Sequence, residues 1–383
     1  MVNRAQTVKN WIKKSKSFGL IYYYAGLFIV TVLKNIIRPN DKQILFISYS
    51  GRQYSDTPKE AYLQLKNDPN FKDFKMIWAF NRPVDFNDSE LEYKVNANSP
   101  LFFFYLLRSK YWIANSSIDR LIPFKHSKHV YIQFWHGIPM KTLGPQEKGL
   151  APLVRNWYNK VSFDYLFVYG DYDAGKLIEV FPKTKKIINK GQLRKKSYER
   201  QSDKNVDSIK SDLGIDVNKP VLLYVPTWRG YESTQQTKLS SSFLKELSQD
   251  YNVLYRGHYF SGTKLNSEVI SVDNFSLYKL FRVADIMVTD YSSVFFDFSE
   301  LLKPIYLFQP DIDEYREKRG LYLSNEDIQL PVAYSEDELR RLLKNKEYPI
   351  EQVGVIRDKY NPHDSNEAVV ALKNILEVER LRN

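Results

Sequence analysis

The chain has 383 residues, 43% hydrophobic and 26% charged, which is long enough for two globular domains and too apolar for a disordered protein. It contains no cysteine, which excludes a disulfide framework, a thiol nucleophile and a cysteine-based metal site. The net charge is +11, but seven basic residues and no acid fall within residues 1–38, so the body is nearly balanced and no nucleic-acid partner is expected.

Residues 1–38 carry basic side chains beside an uncharged apolar run at 20–33. The run is short for a bilayer span, which needs about 20 apolar residues, and its consecutive tyrosines favour the headgroup region. We interpret residues 1–38 as a monotopic membrane-binding helix or helical pair at an anionic membrane surface. The alternatives are a single short span and a helix packed on the protein's own body. A signal peptide is disfavoured because no small-residue cleavage site follows.

From residue 43 onward, short apolar segments alternate with helix-like ones, a pattern typical of a parallel sheet with helices on both faces. The strands predicted in the first half are residues 44–47, 76–80, 111–114, 130–135, 165–169 and 186–189. Ligands of such sheets bind where the strands end. His136 follows one strand and precedes Gly137, so we expect it in a loop and take it as the first candidate for chemistry. The alternative is a structural histidine.

Three other basic residues lie near predicted strands of the first half. His126 and His129 belong to a basic turn and are expected to be solvated. Arg194 lies in a basic cluster at 183–200, three residues after Gly191, where its guanidinium could reach a phosphate. The rest of that cluster is expected to be a solvated face or a second membrane contact.

Residues 201–219 are polar and predict a linker, after which strands and helices alternate again. The strands predicted there are residues 221–225, 251–255, 269–272, 286–288 and 303–308. The predicted organisation is a membrane-associating segment (1–38), a first α/β domain (39–200), the linker (201–219), a second α/β domain (220–365) and a C-terminal helix (366–383). Two doubly wound parallel-sheet domains facing a cleft would suit a nucleotide-linked donor and a separate acceptor.

Residues 283–298 predict a buried strand, a tight turn and a helix that starts at Ser292 and Ser293. A strand that enters a helix through such a turn presents free N–H groups at the positive end of the helix dipole, which suits a phosphate. The alternative is that one of the two serines only caps the helix. Asp290, in the turn, is expected to fix the turn or to contact a hydroxyl of the ligand.

Hydroxyl and cationic side chains leave neighbouring strand ends in the second half. They are Thr227 with Arg229, Arg256 with His258, and Thr289 with Ser292 and Ser293. Because these strand ends would share one edge of the sheet, we interpret the group as a cradle for a pyrophosphate, whose leaving group gains charge in the transition state. No HExxH pattern is present and no metal site is predicted. The glycine-rich patterns of NTPases and dehydrogenases are also absent.

Five segments resemble the motifs of the CDP-glycerol glycerophosphotransferases, which are the teichoic-acid primases and polymerases of Gram-positive cell walls and related capsule enzymes. They are residues 134–144, 226–229, 256–259, 284–298 and 314–320. Residues 51–56 also look like the N-terminal domain of that family, and the resemblance covers roughly residues 43–330.

This resemblance implies a GT-B-type fold attached peripherally to the cytoplasmic face of the cell membrane. It implies transfer of glycerol phosphate, or a related polyol phosphate, from CDP-glycerol or CDP-ribitol to the terminal hydroxyl of an undecaprenyl-linked acceptor, with release of CMP. His136 matches the family's candidate general base, and His258 matches the second histidine, at the donor phosphates. Ser292 and Ser293 match the phosphate-binding turn.

The sequence departs from the family pattern in several places. Residues 191–194 read Gly-Gln-Leu-Arg where the family often has Gly-Tyr-Pro-Arg, and Gly257 stands where it often has methionine. These changes leave open the donor's polyol and the choice between primase and polymerase, although Trp-His-Gly-Ile-Pro at 135–139 is nearer to the polymerase type. The alternative functions are a GT-B glycosyltransferase that uses a nucleotide sugar and a non-catalytic, membrane-bound module that binds polyanions.

Overall fold

The structure, a computed structural model, describes residues 4–200, 203–227, 229, 237–257, 269–273, 275–345 and 347–382. The chain divides into two compact units. The first comprises Met1–His136, Leu143–Arg194 and His363–Asn383, and the second comprises Gly137–Thr142 and Lys195–Pro362. Each unit contains a sheet whose strands all pair in parallel, which confirms the predicted α/β class.

This division draws its boundaries differently from the predicted ranges in several places, among them residues 363–365, which were predicted in the second domain and belong to the first unit. Residues 137–142 and 195–200, predicted in the first domain, belong to the second unit. The C-terminal helix, predicted as a separate element, belongs to the first unit. The alternation of strands and helices is a local signal, whereas membership of a core depends on contacts that are distant in sequence.

The first unit contains a seven-stranded sheet in the order β3-β2-β1-β4-β5-β6-β7. The strands are β1 Asn40–Ile47, β2 Lys75–Phe80, β3 Tyr93–Asn96, β4 Ser109–Ala114, β5 Val130–Gln133, β6 Tyr165–Val168 and β7 Lys186–Asn189. The second unit contains a six-stranded sheet in the order β10-β9-β8-β11-β12-β13. Its strands are β8 Val221–Val225, β9 Asn252–Tyr255, β10 Ile270–Ser271, β11 Ile286–Thr289, β12 Ile305–Phe308 and β13 Val332–Ala333.

The α-helices follow in chain order. They are α1 Arg4–Lys14, α2 Lys16–Ile36, α3 Asp56–Lys66, α4 Pro100–Arg108, α5 Pro152–Lys160, α6 Asp171–Val180, α7 Lys196–Glu199, α8 Asp203–Asp212, α9 Ser241–Asp250, α10 Leu277–Val283, α11 Val294–Phe298, α12 Ile312–Lys318, α13 Asn325–Ile328, α14 Glu336–Lys344, α15 Ile350–Tyr360 and α16 Ser365–Leu381. Several begin at sequence signals for a helix start. Proline is the first residue of α4 and α5, and Asp364 caps α16 by accepting from the Asn366 N–H at 2.7 Å.

Both faces of the first sheet are buried, because successive residues of a strand point to opposite faces. In β1, Ile44 and Phe46 pack into one core with residues of α3 and α16. Leu45 and Ile47 pack into the other core with residues of α4, α5 and α6. In the second sheet every residue of β8 is buried, as in a strand covered on both sides.

The helical pair α1–α2 lies on the first unit along one side only. Tyr23 and Val30 of α2 are buried in a cluster with Leu107, Ile122 and Leu153. By length and composition α2 could cross a membrane, a test that some core helices and signal sequences also pass. Ile12, Tyr22, Leu27 and Leu33 are partly buried against this cluster. Ten other large apolar side chains of the pair are exposed: Val8, Trp11, Phe18, Leu20, Ile21, Tyr24, Phe28, Ile29, Val32 and Ile36. The predicted helical pair is therefore present, with one face packed on the body and the other apolar face open.

One histidine prediction is wrong. His129 was expected to be solvated, but it is 2% exposed. Its ring packs 4.5 Å from Trp112, and its Nε2 donates to the Leu107 carbonyl at 2.8 Å. Its Nδ1 accepts from the His126 N–H at 3.0 Å, which fixes that tautomer. Burial lowers the pKa of His129 to about 4, so this histidine is a neutral structural residue.

Candidate functional site

Strand order reverses between β1 and β4 in the first sheet, and between β8 and β11 in the second. Chains leave the two strands at such a point in opposite directions, and ligands of doubly wound sheets bind there, at the carboxyl ends. The loops after these four strands are therefore the expected binding loops. Most of the residues singled out from the sequence lie in these loops or at the end of the adjacent strand β5, and each unit is considered separately below.

His136 lies three residues after β5, and its ring is partly buried. Its Nδ1 lies 2.7 Å from the backbone oxygen of Asn115. A carbonyl oxygen only accepts hydrogen bonds, so Nδ1 carries the proton and Nε2 keeps a free lone pair. Burial lowers the pKa of His136 to about 4, opposed by Asn115 and Asp56 and reinforced by Arg194 and Arg52. The imidazole is therefore neutral at pH 7, with Nε2 able to accept a proton.

Asn115 ties the end of β4 to the loop after β1. Its Oδ1 accepts from the Tyr49 N–H at 2.8 Å, and its Nδ2 donates to Asp56 Oδ2 at 2.8 Å. The Tyr49 hydroxyl donates to the same carboxylate oxygen at 2.7 Å. The Tyr49 ring lies 5.8 Å from the His136 ring, centroid to centroid. His136 is thus oriented by a polar network that spans two neighbouring strand ends.

Left-handed backbone conformations at non-glycine residues concentrate at these strand ends of the first unit. Of the eight such residues in the part of the chain that the structure describes, six lie here: Tyr49, Ser50 and Asp56 after β1, Arg120 and Leu121 after β4, and Trp135 after β5. The other two, Leu302 and Gln329, belong to the second unit. Each such residue costs about 1–3 kcal/mol and persists only where its surroundings enforce it. Their concentration supports a functional role for this edge of the sheet.

Arg194 is buried and does not present its guanidinium at the surface. It is 2% exposed, and its Nε lies 2.8 Å from Asp56 Oδ1, which is also buried. Asp56 in turn accepts from the Thr57 N–H and from the Asn115 side chain. Sequence reasoning suggested Arg194 as a phosphate ligand, whereas the structure gives it an interior ion pair that holds the Asp56 carboxylate of the His136 network.

In the second unit Asp290 connects the loops after β8 and β11. Its Oδ1 accepts from the Thr227 N–H at 2.8 Å and from the Tyr291 N–H at 2.6 Å. Arg229 Nη1 lies 3.0 Å from Asp290 Oδ2. Asp290 therefore fixes the turn that follows β11 against the neighbouring loop.

Arg229 is enclosed by carboxylates. Its Nε and Nη2 donate to the two oxygens of Asp311 at 2.6 and 2.9 Å, and its Nη1 donates to the Thr227 carbonyl at 2.7 Å. Burial lowers the pKa of Arg229, but Asp311 and Asp290 raise it by more, so the guanidinium stays charged. Arg229 was expected to bind a donor phosphate directly. In this structure its charge is offset by two aspartates, so it positions the loops.

Thr289 and Arg256, two further candidates for phosphate contacts, also make bonds within the protein. The Thr289 hydroxyl is fully buried and donates to the Val225 carbonyl at 2.7 Å. Arg256 donates through Nη1 to the carbonyls of Val272, at 3.3 Å, and Phe275. Arg256 is only partly buried, so part of its guanidinium still reaches the surface.

Ser292 and Ser293 are partly exposed, and α11 begins only at Val294. Ser293 is the N-cap residue, but its hydroxyl makes no capping bond. Ser292 Oγ accepts from the Val294 N–H at 3.4 Å, which is long for a capping bond. Gly137 packs against this turn, since a Cβ at Gly137 would lie 2.6 Å from Ser293 Oγ and its φ is +148°. A side chain at residue 137 would therefore clash with Ser293 and strain the backbone. Because the Ser293 hydroxyl makes no capping bond, it is available to a ligand.

Thr227, a further candidate, lies beside the turn after β11, because its N–H donates to Asp290. The Thr227 Oγ1 is buried and has no hydrogen-bond partner among the residues that the structure describes, which is the state of a hydroxyl that awaits a ligand or a water. His258, expected at the donor phosphates, lies outside the described residues.

No group of three acidic or histidine side chains that could hold a metal is found in the described residues. Two Asp-x-Asp patterns do occur, at 171–173 and 311–313. Asp173 accepts from the backbone N–H groups of Tyr169 and Gly170 at 2.8 Å each, and Asp311 pairs with Arg229. These carboxylates therefore act as structural acceptors.

Sequence reasoning did not single out Asn115 or Asp311 as site residues. Asn115 directly follows β4, and Asp311 follows β12, the strand beside β11. Both positions are strand ends at the edge where ligands are expected, which is the signal that could have found them. A search for acceptors as well as cations at those ends would have included both.

Comparison with known proteins gives a consistent result. A sequence model of the family described as CDP-glycerol:poly(glycerophosphate) glycerophosphotransferase matches residues 30–376. The teichoic acid poly(glycerol phosphate) polymerase of Bacillus subtilis (strain 168) is 31% identical over 341 residues, which cover 82% of this chain and 45% of that protein. The teichoic acid glycerol-phosphate transferase of Staphylococcus aureus (strain NCTC 8325 / PS 47) is 29% identical, covering 88% of this chain and 90% of that protein. The chain thus spans about half of one relative and most of the other.

Solved structures are similar along the whole chain. A histidine-to-asparagine variant of the wall teichoic acid polymerase TagF, soaked with CDPG, aligns with 100% of this chain and 99% of its own at 26% identity and a TM-score of 0.80. A UDP-GlcNAc 2-epimerase from Neisseria meningitidis aligns with 88% of this chain at 12% identity and a TM-score of 0.55, a likeness of fold alone.

Proposed function

This chain belongs to the CDP-glycerol:poly(glycerophosphate) glycerophosphotransferase family, and we propose that it transfers glycerol phosphate, or a related polyol phosphate, from a CDP-linked donor to a hydroxyl of a lipid-linked acceptor. Relatives of this chain include a glycerol-phosphate transferase and a ribitol-phosphate primase. Membership of the family therefore does not by itself determine which polyol the donor carries. Two α/β units, each with a ligand edge at its switch point, fit a GT-B-type transferase.

The tautomer of His136 is the single observation that carries this proposal. The Asn115 carbonyl holds the proton on Nδ1, which leaves Nε2 as a neutral acceptor at pH 7. General-base catalysis requires such a nitrogen within reach of the attacking hydroxyl. His136 directly precedes Gly137, the residue that packs against Ser293.

In the proposed reaction, Nε2 of His136 removes the proton of the acceptor hydroxyl while its oxygen attacks the phosphorus that bears the glycerol. The bond from that phosphorus to the bridging oxygen breaks, and CMP leaves with the electron pair. The backbone N–H groups and hydroxyls at Ser292 and Ser293 bind the pyrophosphate, and Arg256 and His258 are proposed as further phosphate ligands. The negative charge of the donor raises the pKa of His136 towards neutrality, which strengthens the base once the donor is bound.

Attachment to the membrane surface through α1–α2 is part of the proposal. A lipid-linked acceptor presents its hydroxyl close to the bilayer, and the open apolar face of the pair supplies the matching surface. The basic side chains in residues 1–38 favour the anionic cytoplasmic leaflet.

The proposal is tested by His136→Gln, which keeps a donor for the Asn115 carbonyl and removes the basic nitrogen. CMP release from CDP-glycerol with a lipid-linked acceptor should fall about 10²–10⁴-fold. Stabilisation by CDP-glycerol in a thermal-shift assay should persist. His126→Ala, in the partly buried turn before β5, is the matched control and should keep full activity. Near-normal CMP release by His136→Gln would rule out His136 as the general base.

The pH dependence of kcat/KM is a second test of His136 as the general base. A base whose pKa is lowered stays deprotonated as the pH falls through 6.5, so kcat/KM of the wild type should stay flat from pH 8 to about 6. The acidic limb of kcat/KM, which reports the free enzyme, should lie near the value of about 4 for His136, and the limb of kcat, which reports the donor complex, should lie at a higher pH. An acidic limb above pH 7 would contradict the assignment.

A further inference from the structure

Four cationic side chains converge on the first unit, away from the carboxylate-paired arginines. Lys9 and Lys13 come from α1, Arg52 from the loop after β1, and Arg120 from the loop after β4. Lys9 Nζ and Arg120 Nη2 both donate to the same atom, Asn98 Oδ1, at 2.7 Å each. These four residues are called the cationic cluster below.

The members lie close enough to repel one another. Burial lowers the pKa of Lys13 first of all, and the charges of Arg52, Arg120 and Lys9 lower it further. Burial and the charge of Arg52 likewise lower the pKa of Arg120. Like charges destabilise a fold at such separations unless a counter-charge is present. Lys9, Lys13 and Arg120 have no ion pair with an acidic side chain in the described part of the chain.

Arg120 is held in place by an unusual backbone. Arg120 and Leu121 have φ of 55° and 66°, two successive left-handed residues without a glycine. The Tyr22 hydroxyl of α2 donates to the Arg120 carbonyl at 2.9 Å, which links this turn to the helical pair. The position of the guanidinium is thus enforced by both the sheet and the helices.

We propose that the cationic cluster is a binding site for a phosphate group carried at the membrane surface, and that its ligand is a phosphate of the lipid-linked acceptor. Arginine and lysine donors converging from several segments suit the oxygens of a phosphodiester or diphosphate. This step rests on the proposed function, because it assigns the acceptor to the unit that carries His136.

The helix that carries Lys9 and Lys13 also carries an exposed aromatic ring. Trp11 lies two residues from each lysine and therefore on the opposite side of α1. Its ring lies 4.2 Å from that of Phe18 in α2, centroid to centroid, and the two residues are 52% and 47% exposed. Exposed aromatic rings of this kind favour the headgroup region of a bilayer. With Trp11 in the headgroup region, Lys9 and Lys13 would lie on the far side of α1 from the bilayer, where the phosphates of a lipid-linked chain emerge.

Arg52 connects the cluster to the proposed base. Arg52 lies three residues after Tyr49, whose ring is 5.8 Å from the His136 ring, centroid to centroid. Its charge also contributes to the lowered pKa of Lys13 and of His136. Arg52 and Arg120 follow β1 and β4, the strand ends that also carry the Tyr49–Asn115 network around His136. A lipid headgroup could bind anywhere on the membrane-facing surface. The acceptor must bind near His136, because its terminal hydroxyl has to reach the proposed base.

The double variant K13Q/R120Q tests the site, with K14Q/K16Q as a control that removes the same charge from exposed lysines of the same segment. CMP release is followed against the concentration of lipid-linked acceptor in neutral detergent micelles. KM for the acceptor should rise about tenfold or more in K13Q/R120Q, because the variant loses two charged donors of hydrogen bonds to the phosphate. KM for CDP-glycerol and the rate at saturating acceptor should match those of K14Q/K16Q.

Flotation with phosphatidylglycerol and phosphatidylcholine vesicles separates the two sources of phosphate. If the acceptor is the ligand, K13Q/R120Q floats like its control. Selective loss of flotation on phosphatidylglycerol, with an unchanged acceptor KM, would overturn the acceptor assignment in favour of a headgroup. Equality with K14Q/K16Q in both assays would overturn the site itself. Wild-type protein that releases no CMP from any CDP-polyol would instead contradict the proposed function, while the flotation assay would still test the cluster.

Discussion

At the scale of single residues, the chain uses cations in two different ways. Arg194 and Arg229 are buried against aspartates and organise loops. The residues of the cationic cluster lie nearer the surface, and Lys13 and Arg120 lack acidic partners in the described residues. Removing one partner of a buried ion pair leaves an uncompensated charge away from water, so the paired arginines contribute to stability. The clustered cations are the ones proposed to bind a ligand.

Asp56→Asn should destabilise the protein strongly, because it leaves the Arg194 guanidinium buried without its carboxylate. We expect a loss of about 3–5 kcal/mol in the free energy of unfolding, measured by urea denaturation at pH 7. Asp73→Asn, which breaks an exposed pair with Lys42, is the control and should cost less than about 1 kcal/mol. Equal losses in the two variants would show that Asp56 and Arg194 gain little from their pairing.

Sequence alone singled out His136 and the turn at Ser292 and Ser293 as candidates, and the structure places them after β5 and β11, at strand ends of the two sheets. The sequence could not separate a ligand arginine from a structural one, since both are cations at strand ends. Asp311, which pairs with Arg229, lies 82 residues away in the chain. His129 was misjudged for a similar reason, because basic neighbours suggested solvent while Trp112 covers its ring.

At the scale of elements, predictions succeeded where a strand is buried on both faces. All five residues of β8 and the last five of β1 are buried, and such continuous apolar runs are visible in a sequence. The missed strands β3 and β13 lie at sheet edges. β3 alternates apolar and polar residues and β13 has two residues, so neither leaves an apolar run. The helix α8 was missed within a polar linker for the same reason. The edge strands β7 and β10 were predicted, because Ile187 and Ile188 are adjacent in one and residues 269–272 are mostly apolar in the other.

The open face of α2 gives a prediction about the membrane. Ile21, Phe28 and Val32 are seven and four residues apart, so they share one face of the helix, and all are exposed. Replacing the three by serine should lower binding to phosphatidylglycerol vesicles by about tenfold or more, since each side chain contributes up to about 1.5–3 kcal/mol when fully buried. Thermal stability should hardly change.

A matched control for this experiment replaces three exposed valines elsewhere by serine: Val217, Val355 and Val370. That variant should bind vesicles like the wild type. Substitution is a sharper test than deletion of residues 1–38, because deletion would also uncover Leu107, Ile122 and Leu153, which pack on α2. Unchanged vesicle binding by the α2 variant would exclude this face as the membrane contact.

At the scale of the whole molecule, the chain enters the second unit and returns to the first at its C-terminal helix. Ala368, Leu372 and Leu376 of α16 are fully buried in one core of the first unit. Ion pairs add to this contact, with Lys373 2.6 Å from Asp68. The sequence predicted a helix at 366–381 with several apolar residues. Such a pattern indicates that the helix packs on some apolar surface. Which surface it packs on depends on the folded core.

Leu372→Ala should therefore weaken the first unit although residue 372 follows the second unit in the chain. Removing a fully buried leucine costs about 2–5 kcal/mol, and hydrogen exchange measured peptide by peptide should show lost protection in β1 and β4 but not in β8 and β11. Val370→Ala, on the exposed side of the same helix, should change stability by less than about 0.5 kcal/mol. Loss of protection confined to β8 and β11 would assign α16 to the second unit instead, because a cavity weakens first the core that contains it.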